Sequence, residues 1–254
     1  MINKLYFSPT GGTKKVVNLI SDPWDAEKCT IDFSLSDIDY TGNFFPKEDI
    51  CIVGVPSFGG RVPAVALQRL SQMKGENTPT IIVVVYGNRD YDDTLLELKN
   101  TLSQNGFNVI AAVAAVSEHS IMPQFGSLRP SVEDEKVLTG FGLKIKEALD
   151  KGEALPSVSV TGKVPYREYK GLPLKPKAGK SCTGCGSCAK ACPVNAIPLD
   201  TPSKTISDKC ITCMRCVKVC PNHARKLNPL MLFVAGQKLK KSCSTPKENV
   251  LFFK

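Results

Sequence analysis

Residues 182–193 read CTGCGSCAKACP and residues 210–221 read CITCMRCVKVCP. Each is C-x2-C-x2-C-x3-C-P. The second run starts 28 residues after the first, and Ala196 recurs as Ala224, so the segment is an internal duplication. Thiolates are ligands for soft metal centres. Three thiolates separated by two residues each can wrap three iron corners of one cubane, and the fourth sits beside a proline that turns the chain away. Four cysteines can also hold Zn²⁺ tetrahedrally, but two tandem copies with both prolines argue for clusters.

A second chemistry lies far upstream. Residues 5–13 read LYFSPTGGT: an apolar strand runs into Ser8, Thr10, Gly11, Gly12 and Thr13, and a helix follows. Hydroxyls and backbone N–H groups at a helix start can surround a phosphate without a lysine. The dinucleotide pattern G-x-G-x-x-G is absent there. Ala178-Gly179-Lys180-Ser181 resembles the end of a nucleotide P-loop, but Leu174 stands where that motif needs its first glycine, and no strand precedes it.

The elements that must position these residues follow from hydrophobic pattern. Strands are expected at 2–7, 28–33, 50–55, 80–86 and 109–116, the last three nearly continuous Val, Ile and Ala, as in parallel strands covered on both faces. Helices are expected at 12–21, 62–73, 92–104 and 131–150. The third presents Leu95, Leu98 and Leu102. The fourth has Ser131 as cap and Val137, Leu138, Phe141, Ile145 and Leu149 inside. Alternating strands and helices over 1–150 give an α/β, doubly wound five-stranded parallel sheet. Residues 151–180 hold four prolines and four glycines and read as a linker, either hinge or fixed strap. A small cysteine-bearing α+β domain spans 181–225, and a tail spans 226–254.

Composition sets limits. The chain has 254 residues, 42% of them hydrophobic, and a formal net charge of +9. Residues 1–150 carry 14 Lys+Arg against 19 Asp+Glu; residues 151–254 carry 19 against 5, a net of +14. The basic half points to an acidic protein partner. It has no nucleic-acid fold or stacking platform. No apolar run approaches the ~20 residues of a membrane span, and MINKLYF reads as a strand, not a secretory leader. Regular cysteine clusters without a leader imply a reducing, cytoplasmic setting. Of the other cysteines, Cys29 and Cys51 read as buried small hydrophobes, and Cys243 has no assigned role.

Residues 181–225 resemble a bacterial 2[4Fe-4S] ferredoxin at all eight ligand positions. The resemblance implies one cluster on Cys182, Cys185, Cys188 and Cys220, and a second on Cys210, Cys213, Cys216 and Cys192. Ser8 to Thr13 resemble the flavodoxin phosphate loop [ST]-x-T-G-x-T. Two further loops stand where flavodoxins hold the FMN ring, VPSFGGRVP after strand three and YGNRDYDD after strand four. They contribute Pro56, Ser57, Phe58, Gly59 and Gly60, then Tyr86, Gly87, Asn88 and Tyr91. Phe58 and Tyr91 are candidates to stack on the ring, with Tyr86 a substitute. Tyr91 is also in register with Leu95 and Leu98 for core packing. Glu118 and His119 read as a surface loop. The whole chain thus resembles the flavodoxin–ferredoxin fusions of anaerobic bacteria and archaea ("ferrodoxins"). That resemblance implies the flavodoxin-like strand order 2-1-3-4-5 and electron transfer between two [4Fe-4S] clusters, FMN and protein redox partners. The alternative is an FMN-dependent reductase of a small acceptor such as a quinone or disulfide. No acid, base or nucleophile stands out for separate substrate chemistry, so a carrier is favoured over an enzyme with its own substrate.

Overall fold

Runs of Val, Ile and Ala dictate the centre of the molecule. The computed structural model describes residues 1–153 and 155–254. Strands β1 (Ile2–Tyr6), β2 (Lys28–Asp32), β3 (Ile50–Pro56), β4 (Thr78–Tyr86) and β5 (Phe107–Val116) form a parallel sheet. A sixth strand, β6 (Val250–Phe252), comes from the end of the chain and pairs antiparallel with Ala112–Ala114 of β5. The order is β2-β1-β3-β4-β5-β6, the flavodoxin-like 2-1-3-4-5 arrangement extended by one strand.

Side chains alternate across the sheet, as the two-residue period requires. Ile52, Ile81, Val83 and Ala111 face helices α1 (Gly12–Ser21) and α4 (Val132–Asp150), meeting Val16, Val17, Ile20, Leu138 and Ile145. Val53, Ile82, Val84 and Val109 face α2 (Ala64–Leu70) and α3 (Thr94–Gln104), meeting Ala66, Leu70, Leu95, Leu98 and Leu102. Each fully buried Val, Ile or Leu contributes ~1.5–3 kcal/mol. Two expectations fail here. Val137 is exposed, one position off the inward stripe of α4. Cys29 is exposed because β2 is the outer strand, whereas Cys51, in β3, is fully buried.

Residues 155–180 form no hairpin. They run as an extended strap held by hydrogen bonds. Val158 N–H donates to Val109 O (2.8 Å), and the Asp93 carboxylate accepts from the N–H groups of Lys163 (2.9 Å) and Arg167 (2.7 Å). The tail is also ordered. Asn228 caps helix α7 (Pro229–Cys243), whose Cys243 is buried against Met122 and Phe125. The cysteine-rich segment carries two one-turn helices, α5 (Ser187–Lys190) and α6 (Arg215–Lys218), and a two-residue ladder of Lys177–Ala178 on Arg225–Lys226. It is docked on the sheet domain. Arg69 donates to Pro193 O (2.6 Å) and Asn195 to Asp37 (2.9 Å).

Candidate functional site

The duplication places the cysteines. In each half, the first three Cys flank or enter a short helix, and the fourth follows it before a proline. The chain then crosses, so each fourth Cys faces the other half. Cys182, Cys185, Cys188 and Cys220 line one cavity. Cys192, Cys210, Cys213 and Cys216 line a second. Among the described residues no three Cys, His, Asp or Glu side chains close on one ion-sized point; each set of four thiols surrounds a space. Backbone N–H groups already point at two of the sulfurs, Ala196 to Cys192 Sγ and Ala224 to Cys220 Sγ, both at 3.2 Å.

The two cavities differ electrostatically. Burial pushes the thiols of Cys213 and Cys216 up to about 12, so metal must displace their protons. Cys185 is exposed and held below the usual thiol range by the Ser187 hydroxyl and N–H.

A third space, a cleft of about 1170 Å³ including its mouth, opens where the parallel strands end. Gly11 starts α1 at φ +97 and has no side chain to cap it. The Ser8 hydroxyl accepts from Lys14 N–H (2.9 Å). The N–H groups of Thr10, Gly11, Gly12 and Thr13 find no acceptor among the described residues, which suits them to an anion. Thr10, Gly12 and Thr13 line the cleft, as do Pro56, Ser57, Phe58, Gly59, Tyr86 and Gly87.

Five of the expected flavin residues stand outside the lining, and each has another task. Ser8 is a buried cap, and Gly11 is the turn that starts α1. Gly60 lies against Asp92 and Arg167. Asn88 clamps the tail, donating to Cys243 O (2.6 Å) and Thr245 O (3.1 Å) and accepting from Lys247 N–H (2.9 Å). Tyr91 packs edge-on against Tyr86, centroids 5.2 Å apart, on the core side of α3.

Other residues enter the cleft unannounced by sequence. His119, expected in a surface loop, is half-buried beside exposed Glu118, and its ring lies so close to Gly87 that a Cβ there would be 2.6 Å away. Its Nδ1 accepts from Ile121 N–H (3.2 Å) and Met122 N–H (3.3 Å), and burial lowers its pKa. Tyr169 of the strap lies over Gly59, which has no Cβ to obstruct it. Leu172 and Leu174, with Ala235 and Leu239 of α7, add an apolar lid. Ile211, Thr212 and Cys213 line both this cleft and the second cysteine cavity.

A family model described as a 4Fe-4S dicluster domain matches residues 181–224. No curated protein matches the chain. Solved structures similar to its sheet domain include a flavodoxin from the domain Archaea, at 14% identity over 59% of this chain and 98% of that one, with a TM-score of 0.39. Flavodoxin 2 from Bacillus cereus is similar at 17% identity over 57% and 97%, TM-score 0.41. Rubredoxin oxygen:oxidoreductase from the anaerobe Desulfovibrio gigas is similar at 16% over 59% of this chain, TM-score 0.41, and the chain spans only 36% of that protein. The strand order alone makes the sheet flavodoxin-like. Residues 181–224 are an iron–sulfur domain of the 4Fe-4S type.

Proposed function

We propose that the chain is an electron-transfer flavo-iron–sulfur protein, with two [4Fe-4S] clusters and one FMN serving a protein redox partner. One observation carries the reading: the cleft at the sheet edge and the cavity of Cys192, Cys210, Cys213 and Cys216 share a wall made by Ile211, Thr212 and Cys213. Electrons need only cross those residues.

The residues fit the groups. Four thiols around each cavity suit a cubane, whereas zinc needs sulfurs about 2.3 Å from a single point. The free N–H groups of residues 10–13 and the hydroxyls of Thr10 and Thr13 would hold the FMN phosphate. Ser57 to Gly59, Tyr86 and Gly87 would edge the ring, and Tyr169 would cover it. Leu172, Leu174, Ala235 and Leu239 keep water from that side of the cleft. When bound, FMN exchanges one or two electrons and each cluster one. Cys185 brings the other cavity to the surface. Exposed Lys177, Lys180, Lys190, Lys218 and Lys226 belong to the same segment and its flanks, which suits an acidic partner.

Protein purified without oxygen should hold about eight iron, eight sulfide and one flavin per chain. About two iron with matching zinc would overturn the cluster reading, and no flavin released by acid would overturn the FMN reading. A second reading, reduction of a small acceptor such as a quinone or disulfide, rests on the polar part of the same cleft, Arg89, Asp90, Glu118 and His119. Turnover with such an acceptor is its test.

A further inference from the structure

Arg225 is the largest fully buried side chain in the molecule, 1% exposed. Its Nη1 donates to Thr205 Oγ1 (2.8 Å) and Pro176 O (3.3 Å), and its Nη2 to Pro202 O (2.5 Å) and Lys204 O (3.0 Å). All four acceptors are neutral. The Nε–H has no partner, and it is the one buried side-chain nitrogen or oxygen so left among the described residues. A guanidinium does not give up its proton, and a buried charge needs a counter-charge. No carboxylate supplies one. Asp200 and Asp208, the acidic residues of 181–225, are exposed, and neither pairs with Arg225.

Placement says what does. Arg225 and its acceptor Pro202 line the cavity of Cys182, Cys185, Cys188 and Cys220. Its other acceptors, Pro176 and Thr205, line the cavity of Cys192, Cys210, Cys213 and Cys216. The guanidinium is therefore built into the wall between the two thiol sets. Cys188 reaches the same Pro202 carbonyl, at 3.7 Å. A cluster with its four thiolates is anionic, and hydrogen bonds to its sulfurs and nearby charge set its potential.

We propose that Arg225 is the fixed counter-charge shared by the two clusters. With the clusters bound, its unpartnered Nε–H would be available to a sulfur of the cluster on Cys182, Cys185, Cys188 and Cys220, and its positive charge would raise the potentials of both, that one most. Each reduction adds one electron and breaks no bond, so a fixed cation favours the reduced form throughout. Arg225 acts on the clusters' energies and touches no other reactant. The inference rests on the cluster reading above.

The test uses the full chain, purified without oxygen, as wild type, Arg225→Lys, Arg225→Gln and Arg225→Met. Iron and sulfide are counted first, and each cluster is then titrated with potential by electron paramagnetic resonance. Signals are assigned from a Cys192→Ala sample. In Arg225→Met and Arg225→Gln the one-electron reduction equilibrium of the Cys182 set should fall at least tenfold, about 59 mV, and that of the other set less. Arg225→Lys keeps the charge but not the Nε–H and should fall between. Unchanged potentials in iron-replete variants overturn the proposal. If the neutral variants lose iron, Arg225→Lys decides alone: a lowered potential of the Cys182 set supports the proposal and an unchanged one overturns it. Wild-type protein without about eight iron would instead overturn the cluster reading.

Discussion

Gly184 and Gly186 lie at φ +72 and +76, and 28 residues later Thr212 (+55) and Met214 (+65) take the same left-handed conformation. Asn195 and His223 repeat the correspondence at +49 and +46. A residue with a Cβ loses roughly 1–2 kcal/mol there. Met214 nevertheless packs against Leu174 and Leu227, and deleting such a side chain costs about 2–5 kcal/mol. Burial wins, so Met214→Gly should lower the melting temperature of the cluster-loaded chain; a higher one would mean that backbone strain dominates. For the phosphate loop, replacing both Thr10 and Thr13 by Val should weaken FMN binding more than tenfold in a flavin titration, since each lost hydroxyl to a charged group is worth roughly 1.5–3 kcal/mol. Unchanged affinity would give the loop another ligand. Cys192→Ala should damage the cluster on Cys210, Cys213 and Cys216 and spare the one on Cys182, Cys185 and Cys188, because the Cys192 thiol lines the former cavity. The opposite loss would reverse the pairing. Fixed spacing made the cysteines legible in sequence. His119 and Tyr169 were not, because each is placed by a glycine in another loop, and a missing Cβ leaves no pattern at the residue that exploits it.

Among the elements, α4 and β6 are joined at one carboxylate. Asp134 completes the capping box with Ser131, pairs with Arg129 and accepts from Asn249 Nδ2 (2.7 Å). Asn249 in turn accepts from Val116 N–H (2.9 Å), at the end of β5. Burial alone would raise the pKa of Asp134, but Arg129, the Ser131 N–H and Asn249 outweigh it and leave it lowered. A carboxylate lowered in the folded state stabilises above its unfolded value, about 3.9. That contribution is lost as pH falls through the folded value. Asp134→Asn should therefore melt earlier at neutral pH and lose less of its stability on acidification than wild type. Parallel melting curves of the two proteins from pH 7 to 3 would exclude this role. Three of the five parallel strands, β3, β4 and β5, were legible because covered strands read as unbroken apolar runs. β6 was not: three residues at the end of a polar tail carry no period, and only the open edge of β5 makes them a strand.

At the scale of the whole molecule, the strap answers what the prolines and glycines of 151–180 left open. Asp93 fixes its backbone, Arg61 donates to Arg167 O (2.7 Å), and Arg69 and Asn195 tie the cluster domain to the sheet. The shared wall at Ile211–Cys213 is thus part of a fixed assembly, and the proposed electron passage would require no swing of one domain against the other. The Cys182 set reaches the surface through Cys185 and the Cys192 set adjoins the cleft, so under the proposed function the Cys182 set is where a donor would deliver electrons. Residues 151–254 carry a net of +14; on the proposed function, two clusters at about −2 each would leave roughly +10, which would steer an acidic donor to the exposed cluster. Reduction by an acidic ferredoxin, followed by stopped flow, should slow at least about tenfold as the Debye length shrinks from ~10 Å at 0.1 M salt to ~3 Å at 1 M. Cluster absorbance should bleach before or with that of the flavin. Cys192→Ala should leave the first bleaching phase in place and slow the flavin phase severely, because the centre beside the cleft is gone. If flavin in that variant is reduced as fast as in wild type, electrons reach the cleft without the clusters. The donor would then act on the flavin directly, and reduction of a small acceptor in the cleft would become the better account of the protein.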